Sequence, residues 1–175
     1  MDRTTESKVA NIKLLAMDVD GVLTDGSIIL HHDGTESKRF NFLDGHGIRM
    51  WHRAGLKTAF ISGRTAEATT QRAKQLEVTY VFQDCREKLT SFERLLKEAG
   101  LEAAEVAYIG DDVMDIPLLK RAGLSVAVAN AVDEVKQNAA YVTERPGGGG
   151  AVREMIEYIL KSTDRWDELM KIYLI

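Results

Sequence analysis

The chain holds one cysteine, Cys85, and two prolines in 175 residues. One thiol excludes an intrachain disulfide and points to a reducing compartment. No histidine neighbours Cys85, which reads as packing rather than as a nucleophile. No apolar run approaches membrane-spanning length. The stretch Met1–Lys8 is polar and lacks an apolar signal core. Positive charge is not clustered: the net charge is −4, and adjacent basic residues come only in pairs such as Lys38-Arg39. That excludes the dense Lys/Arg footprint of a nucleic-acid binder. An anionic ligand would need a local site, with a metal to supply positive charge. These absences lead us to expect a cytoplasmic protein without nucleic-acid or membrane partners. The length suits a single domain over 1–175.

What is present alternates between two periodicities. Apolar strand segments fall at Ile12–Val19, Lys57–Ile61, Tyr80–Phe82, Val106–Ile109, Leu124–Val128 and Tyr141–Val142. Helical segments separate them: Ile48–Ala54, Thr65–Leu76, Glu87–Ala99, one with Pro117 in its first turn, Val132–Asn138 and Ala151–Lys161. Such alternation predicts an α/β, Rossmann-like three-layer fold, a mainly parallel sheet with helices on both faces. An early Asp33-Gly34 pair between extended runs predicts a β-hairpin insertion over 27–42. Asp44-Gly45-His46-Gly47 reads as a loop.

The most informative stretch is Asp18-Val19-Asp20-Gly21-Val22-Leu23-Thr24-Asp25-Gly26, at the end of the first strand. Side chains two apart on a strand share a face. Two carboxylates so close are costly unless a cation or a proton separates them. Two further strands end in polar, Gly-containing loops, Ser62-Gly63-Arg64 and Gly110-Asp111-Asp112. In a parallel sheet those loops meet at the carboxyl edge, where ligands bind. Crowded carboxylates there suit Mg²⁺. Ser62 and the Gly63 N–H at a helix start suit an anion. Lys88, a cation at the start of a helix, is unfavourable for the helix dipole and hints at a role elsewhere.

Asp18-x-Asp20, Ser62, Lys88 and Gly110-Asp111-Asp112-x-x-Asp115 resemble, in order, the four motifs of the haloacid dehalogenase superfamily of phosphohydrolases. The resemblance implies Mg²⁺-dependent phosphoryl transfer through an aspartyl-phosphate. Asp18 would be the nucleophile and Asp20 the general acid and base. Asp18, Asp111 and the Asp20 backbone carbonyl would hold the metal. Ser62, Gly63 and Lys88 would hold the phosphoryl group, while Asp112 and Asp115 would orient Lys88 or metal waters, or cap the following helix.

About forty residues separate Asp18 from Ser62 and about twenty-five separate Ser62 from Lys88, too few for a cap domain. The Asp20–Gly26 loop, the hairpin, Ile61–Arg64 and the Gly147–Gly150 run resemble a capless branch acting on 3-deoxy-D-manno-octulosonate 8-phosphate. That reaction serves lipopolysaccharide precursor biosynthesis. Relatives in the branch act on nonulosonate 9-phosphates. The resemblance implies that Arg64 marks the eight-carbon enzymes and binds the substrate carboxylate, and that a homotetramer forms through the hairpins. Two readings compete for Gly147–Gly150: a flexible linker, or a segment that approaches or moves over a ligand. The amphipathic tail, 162–175, is a candidate lid over a neighbouring site. The rivals outside this branch are an idle regulatory or scaffolding domain and a phosphoacceptor receiver domain, whose acceptor normally lies mid-domain.

Overall fold

Six apolar segments become strands: Leu14–Met17 (β1), Lys57–Ile61 (β4), Tyr80–Phe82 (β5), Val106–Gly110 (β6), Leu124–Ala127 (β7) and Tyr141–Val142 (β8). Between the first two, Ile29–Leu30 (β2) and Glu36–Ser37 (β3) form a separate antiparallel hairpin. In the computed structural model, which describes residues 9–174, the six strands form one sheet, ordered β5-β4-β1-β6-β7-β8. Every pairing in it is parallel. All four residues of β1 are buried, as a strand covered on both faces requires. The leader Met1–Lys8 and the final Ile175 lie outside the described residues.

The helices are Phe42–Arg53 (α1), Glu67–Leu76 (α2), Lys88–Ala99 (α3), Ile116–Leu119 (α4), Asp133–Gln137 (α5), Ala151–Ser162 (α6) and Trp166–Met170 (α7). From β1 the chain steps to β4 and β5 on one side, then returns past β1 to β6, β7 and β8. With right-handed crossovers, the two directions of travel put helices on opposite faces. The order reverses at β1, so the crevice at its carboxyl end is a topological switch point. No described helix is long and apolar enough to cross a membrane.

Two sequence expectations need correcting. First, the returning hairpin strand ends at Ser37 and the chain is already helical at Phe42, so Asp44–Gly47 is helix and not loop. Asn41 starts that helix by accepting the Leu43 N–H on its side chain at 2.8 Å. Two glycines inside a helix cost about 1 kcal/mol each. They are tolerated because α1 packs closely against its neighbours: a Cβ on Gly45 would lie 2.3 Å from the Arg72 guanidinium, and one on Gly47 3.1 Å from Arg153. Asp44 then reaches across, and its Oδ1 accepts the Arg153 N–H at 2.9 Å in the first turn of α6.

Second, Gly147–Gly150 is neither linker nor flap but a packed turn. A Cβ on Gly147 would sit 1.7 Å from the Gly21 carbonyl oxygen, and one on Gly148, at φ +64°, 2.5 Å from the Asp25 nitrogen. The Gly148 N–H donates to Val22 O at 2.9 Å, and Asn130 accepts the Gly147 N–H at 2.8 Å. The glycines let this turn press against the loop that follows Asp18.

The tail touches its own chain in part, while Ile172 and Leu174 near its end stay exposed. Leu169 is buried, and the Tyr173 hydroxyl accepts from Arg53 at 2.6 Å and lies 3.1 Å from His46 Nε2, both on α1.

Candidate active site

The carboxyl edge of the sheet gathers the constellation as expected. Asp18 follows β1, Gly63 and Arg64 follow β4, Lys88 opens α3 after β5, and Asp111 follows β6. With Asp20, Asp112 and Met114 these residues line a cavity of about 200 Å³. A larger hollow of about 500 Å³ lies elsewhere, lined by Arg49, His52, Arg53, Gln75 and Glu77, and no residue of the constellation reaches it. Cys85 is buried in the core.

Lys88 is the hub. Its side chain is 3% exposed, and its ammonium lies 2.8 Å from Asp18 Oδ2 and 2.7 Å from Asp115 Oδ1. Burial works against the charged amine, but the two carboxylates outweigh it and the Lys88 pKa is raised. Asp115 has no free oxygen. Its Oδ1 also accepts from the Tyr108 hydroxyl at 2.6 Å, and its Oδ2 accepts the backbone N–H groups of Asp111 and Asp112 at 2.9 and 3.2 Å. Asp115 therefore orients Lys88 and the Asp111 loop, although one of its oxygens lies within 4.8 Å of Asp18 and Asp111 oxygens. Asp112 does something different: its carboxylate accepts the Val113 N–H at 2.7 Å and caps the following turn.

Asp111 is the carboxylate left without a partner. Asp18 Oδ1 accepts the Val19 N–H at 2.7 Å. Asp111 Oδ1 is buried with no partner at all. Burial, opposed by Lys88, pushes the Asp18 carboxyl up to about 6. Burial and the neighbouring Asp18 and Asp115 charges push Asp111 up to about 8. With all three carboxylates ionised, one ammonium would leave two negative charges uncompensated. An unpartnered carboxylate oxygen in an all-oxygen donor set fits Mg²⁺.

A pH dependence follows. The folded chain without metal holds protons on Asp18 and Asp111 that the unfolded chain has released above its carboxylate pKa of about 4. Stability then falls as pH rises from about 4 through the folded values of about 6 and about 8. The melting temperature of the metal-free protein is expected to drop by roughly 5 °C or more between pH 5 and pH 8. Mg²⁺ should restore more at pH 8 than at pH 5. A Mg²⁺ effect equal at both pH values contradicts this placement of charge.

Asp20 sits apart from the Lys88 network. Its Oδ1 accepts from the Lys38 ammonium at 2.6 Å, and its Oδ2 is buried without a partner. Lys38 also lies 3.7 Å from Glu36 Oε1, and Arg64 lies 2.6 Å from Glu36 Oε2. Ser62 does not line the cavity: it is fully buried, and its hydroxyl donates to Arg64 O at 3.1 Å while accepting the Arg64 N–H at 3.2 Å. Sequence reasoning missed Lys38, Glu36, Tyr108 and Met114. Glu36, Lys38 and Phe40 are half-buried and Ser37 and Arg39 exposed, an alternation that the uniformly polar run Glu36–Arg39 does not show in the sequence.

A parallel three-layer fold with strand-end aspartates, an ion-paired lysine at the next helix start and an unpartnered carboxylate oxygen describes a metal-dependent phosphoryl-transfer site. The haloacid dehalogenase-like hydrolase family matches residues 81–156. The 3-deoxy-D-manno-octulosonate 8-phosphate phosphatase of Escherichia coli (strain K12) is 42% identical over 162 residues, 93% of this chain and 86% of that protein. The Moraxella catarrhalis 3-deoxy-D-manno-octulosonate 8-phosphate phosphatase, solved with magnesium, phosphate and KDO, superposes with a TM-score of 0.95 at 38% identity, covering 99% of each chain. A probable YrbI-family phosphatase from Pseudomonas syringae gives 0.96 at 42% identity, again covering 99% of each. The chain belongs to the 3-deoxy-D-manno-octulosonate 8-phosphate phosphatase family of haloacid dehalogenase-like hydrolases.

Proposed function

We propose that this chain is a Mg²⁺-dependent phosphatase that hydrolyses 3-deoxy-D-manno-octulosonate 8-phosphate to the free sugar acid and phosphate, a step in making lipopolysaccharide precursors. The observation that carries the reading is the meeting of Asp18, Asp20, Lys88 and Asp111 on one cavity. Asp18 attacks phosphorus in line, and the sugar oxygen leaves with a proton from Asp20. Asp20 then takes a proton from water, which cleaves the acyl phosphate and frees Asp18. Two displacements replace one difficult step. Lys88, fixed by Asp115, holds charge on the transferring oxygens. Ser62 shapes the Gly63–Arg64 turn beside them. Asp18, Asp111 and the Asp20 carbonyl would hold Mg²⁺, which neutralises phosphoryl charge when bound. An idle regulatory domain has no use for this arrangement of buried charge.

The eight-carbon substrate is favoured over the nonulosonate alternative, a sugar acid with a carboxylate of its own, by the 42% identity to an octulosonate 8-phosphate phosphatase, and the residue that marks the eight-carbon enzymes of the branch is Arg64. It lines the cavity, and its guanidinium can bind a carboxylate bidentately. Arg64→Ala is expected to lower kcat/KM at least about 10-fold for the sugar acid phosphate, the cost of one charged hydrogen-bonding group. On p-nitrophenyl phosphate, which has no carboxylate, the loss should be under about 3-fold. Equal losses on both substrates contradict the role.

The assembly proposed is a homotetramer built through the hairpins, in the cytoplasm. Ile29, Leu30 and Phe42 are 49%, 72% and 81% exposed, and a two-stranded hairpin is marginal alone. Light scattering at micromolar concentration should give about four times the chain mass of 19.5 kDa. A fully active monomer contradicts the assembly.

A further inference from the structure

The hairpin carries a cation into the reaction site of its own chain. Lys38 lies just past the end of β3 in a largely exposed hairpin, yet its side chain is only 2% exposed. Its ammonium reaches Asp20 Oδ1 at 2.6 Å, and Glu36 on the same strand face steadies it from 3.7 Å. Residues two apart on an extended segment share a face, so the hairpin delivers both groups together. A buried ammonium needs such partners. With Oδ1 occupied by Lys38, only Oδ2 of Asp20 is free, and that oxygen is buried with no protein partner.

We infer that Lys38 is a positioning residue for the reaction: it fixes the Asp20 carboxyl so that Oδ2 carries the proton to the leaving oxygen. The inference rests on the proposed function, in which Asp20 is the general acid. Lys38 touches neither the phosphoryl group nor the sugar; it acts through Asp20. When the sugar–oxygen–phosphorus bond breaks, the Asp20 proton passes from Oδ2 to the departing oxygen. Oδ1 keeps its hydrogen bond to Lys38 throughout. Glu36 holds Lys38 on one oxygen and Arg64 on the other. One short strand thereby joins the group that reads the substrate to the group that protonates it.

The test reads leaving-group dependence on phosphates without a carboxylate, so that Arg64 is not engaged. The quantity is kcat/KM, which covers steps through cleavage of the ester and omits hydrolysis of the acyl phosphate. The substrates are p-nitrophenyl phosphate, phenyl phosphate and glycerol phosphate, whose leaving groups need increasing help from an acid. Lys38→Met is expected to lose on the order of 30-fold on glycerol phosphate and under about 3-fold on p-nitrophenyl phosphate, since a general acid contributes roughly 10² to 10⁴. Asp20→Asn should steepen the dependence further. Adding Lys38→Met to it should change little, because the lysine acts through the missing acid. Lys38→Gln, which keeps a donor, serves where the Met variant does not fold and should shift the dependence the same way by less. If Asp20→Asn is selective but the Lys38 variants lose equally on all three substrates, or add fully to Asp20→Asn, the inference fails and the acid assignment stands. If Asp20→Asn shows no leaving-group selectivity, the acid assignment fails and the inference fails with it.

Discussion

Asp18→Asn is expected to abolish Mg²⁺-dependent phosphate release, with a loss of about 10⁴-fold or more, the scale seen when a covalent nucleophile is removed. The fold should survive. Asp18 is buried, and burial raises its pKa to about 6, so its charge costs stability at neutral pH. Asparagine keeps the shape and drops that charge, while Lys88 retains Asp115 at 2.7 Å. The melting temperature should stay within a few degrees of the parent or rise. Phosphate release and a thermal melt on one preparation check both halves. Substantial turnover by the variant removes Asp18 from the mechanism.

Lys88→Met should have the largest effect on stability. It leaves Asp18 and Asp115 facing each other in a site where neither can be solvated. Removing one partner of a buried ion pair costs about 3–5 kcal/mol, or roughly 10 °C in a chain of this size. The sign with pH is fixed. The Lys88 pKa is raised, so its contribution is fully present below about pH 10 and is lost only above that. As pH falls through about 6, where burial places the Asp18 carboxyl, that group takes up a proton and the deficit of the variant shrinks. Melts at pH 5 and pH 8 separate this from simple loss of packing, which has no such pH trend. Activity should also collapse, because the transferring oxygens lose their cation.

Much of this was legible in the sequence because it depends on local pattern. Lys57–Ile61, Tyr80–Phe82 and Tyr141–Val142 are strands at the residues expected. The three strand-end loops meet because parallel order and right-handed crossovers leave them no other edge. What failed depends on contacts between distant segments. Gly45 and Gly47 look like loop formers, yet they sit in a helix because Arg72 and Arg153 pack where side chains would be. The four glycines from Gly147 look flexible, yet they are pinned by the Gly21–Asp25 loop more than a hundred residues earlier. Lys38 looked like one half of a basic pair on a hairpin. Its partner, Asp20, is eighteen residues away, and only the folded hairpin brings them within 2.6 Å. Asp115 was already suspected of orienting Lys88. Its four hydrogen-bond partners could be counted only in three dimensions.

The central claim is that this site hydrolyses an eight-carbon sugar acid phosphate with Mg²⁺. The direct measurement is phosphate release by the purified protein, with Mg²⁺ and with chelator. The panel holds 3-deoxy-D-manno-octulosonate 8-phosphate, a nonulosonate 9-phosphate and carboxylate-free sugar phosphates. The expected result is Mg²⁺-dependent release with kcat/KM at least about 10-fold higher for the octulosonate ester than for the carboxylate-free phosphates, the discrimination one charged contact supplies, and higher for it than for the nine-carbon ester. No release from it in Mg²⁺, or an equal or higher kcat/KM on the nine-carbon ester, contradicts the claim.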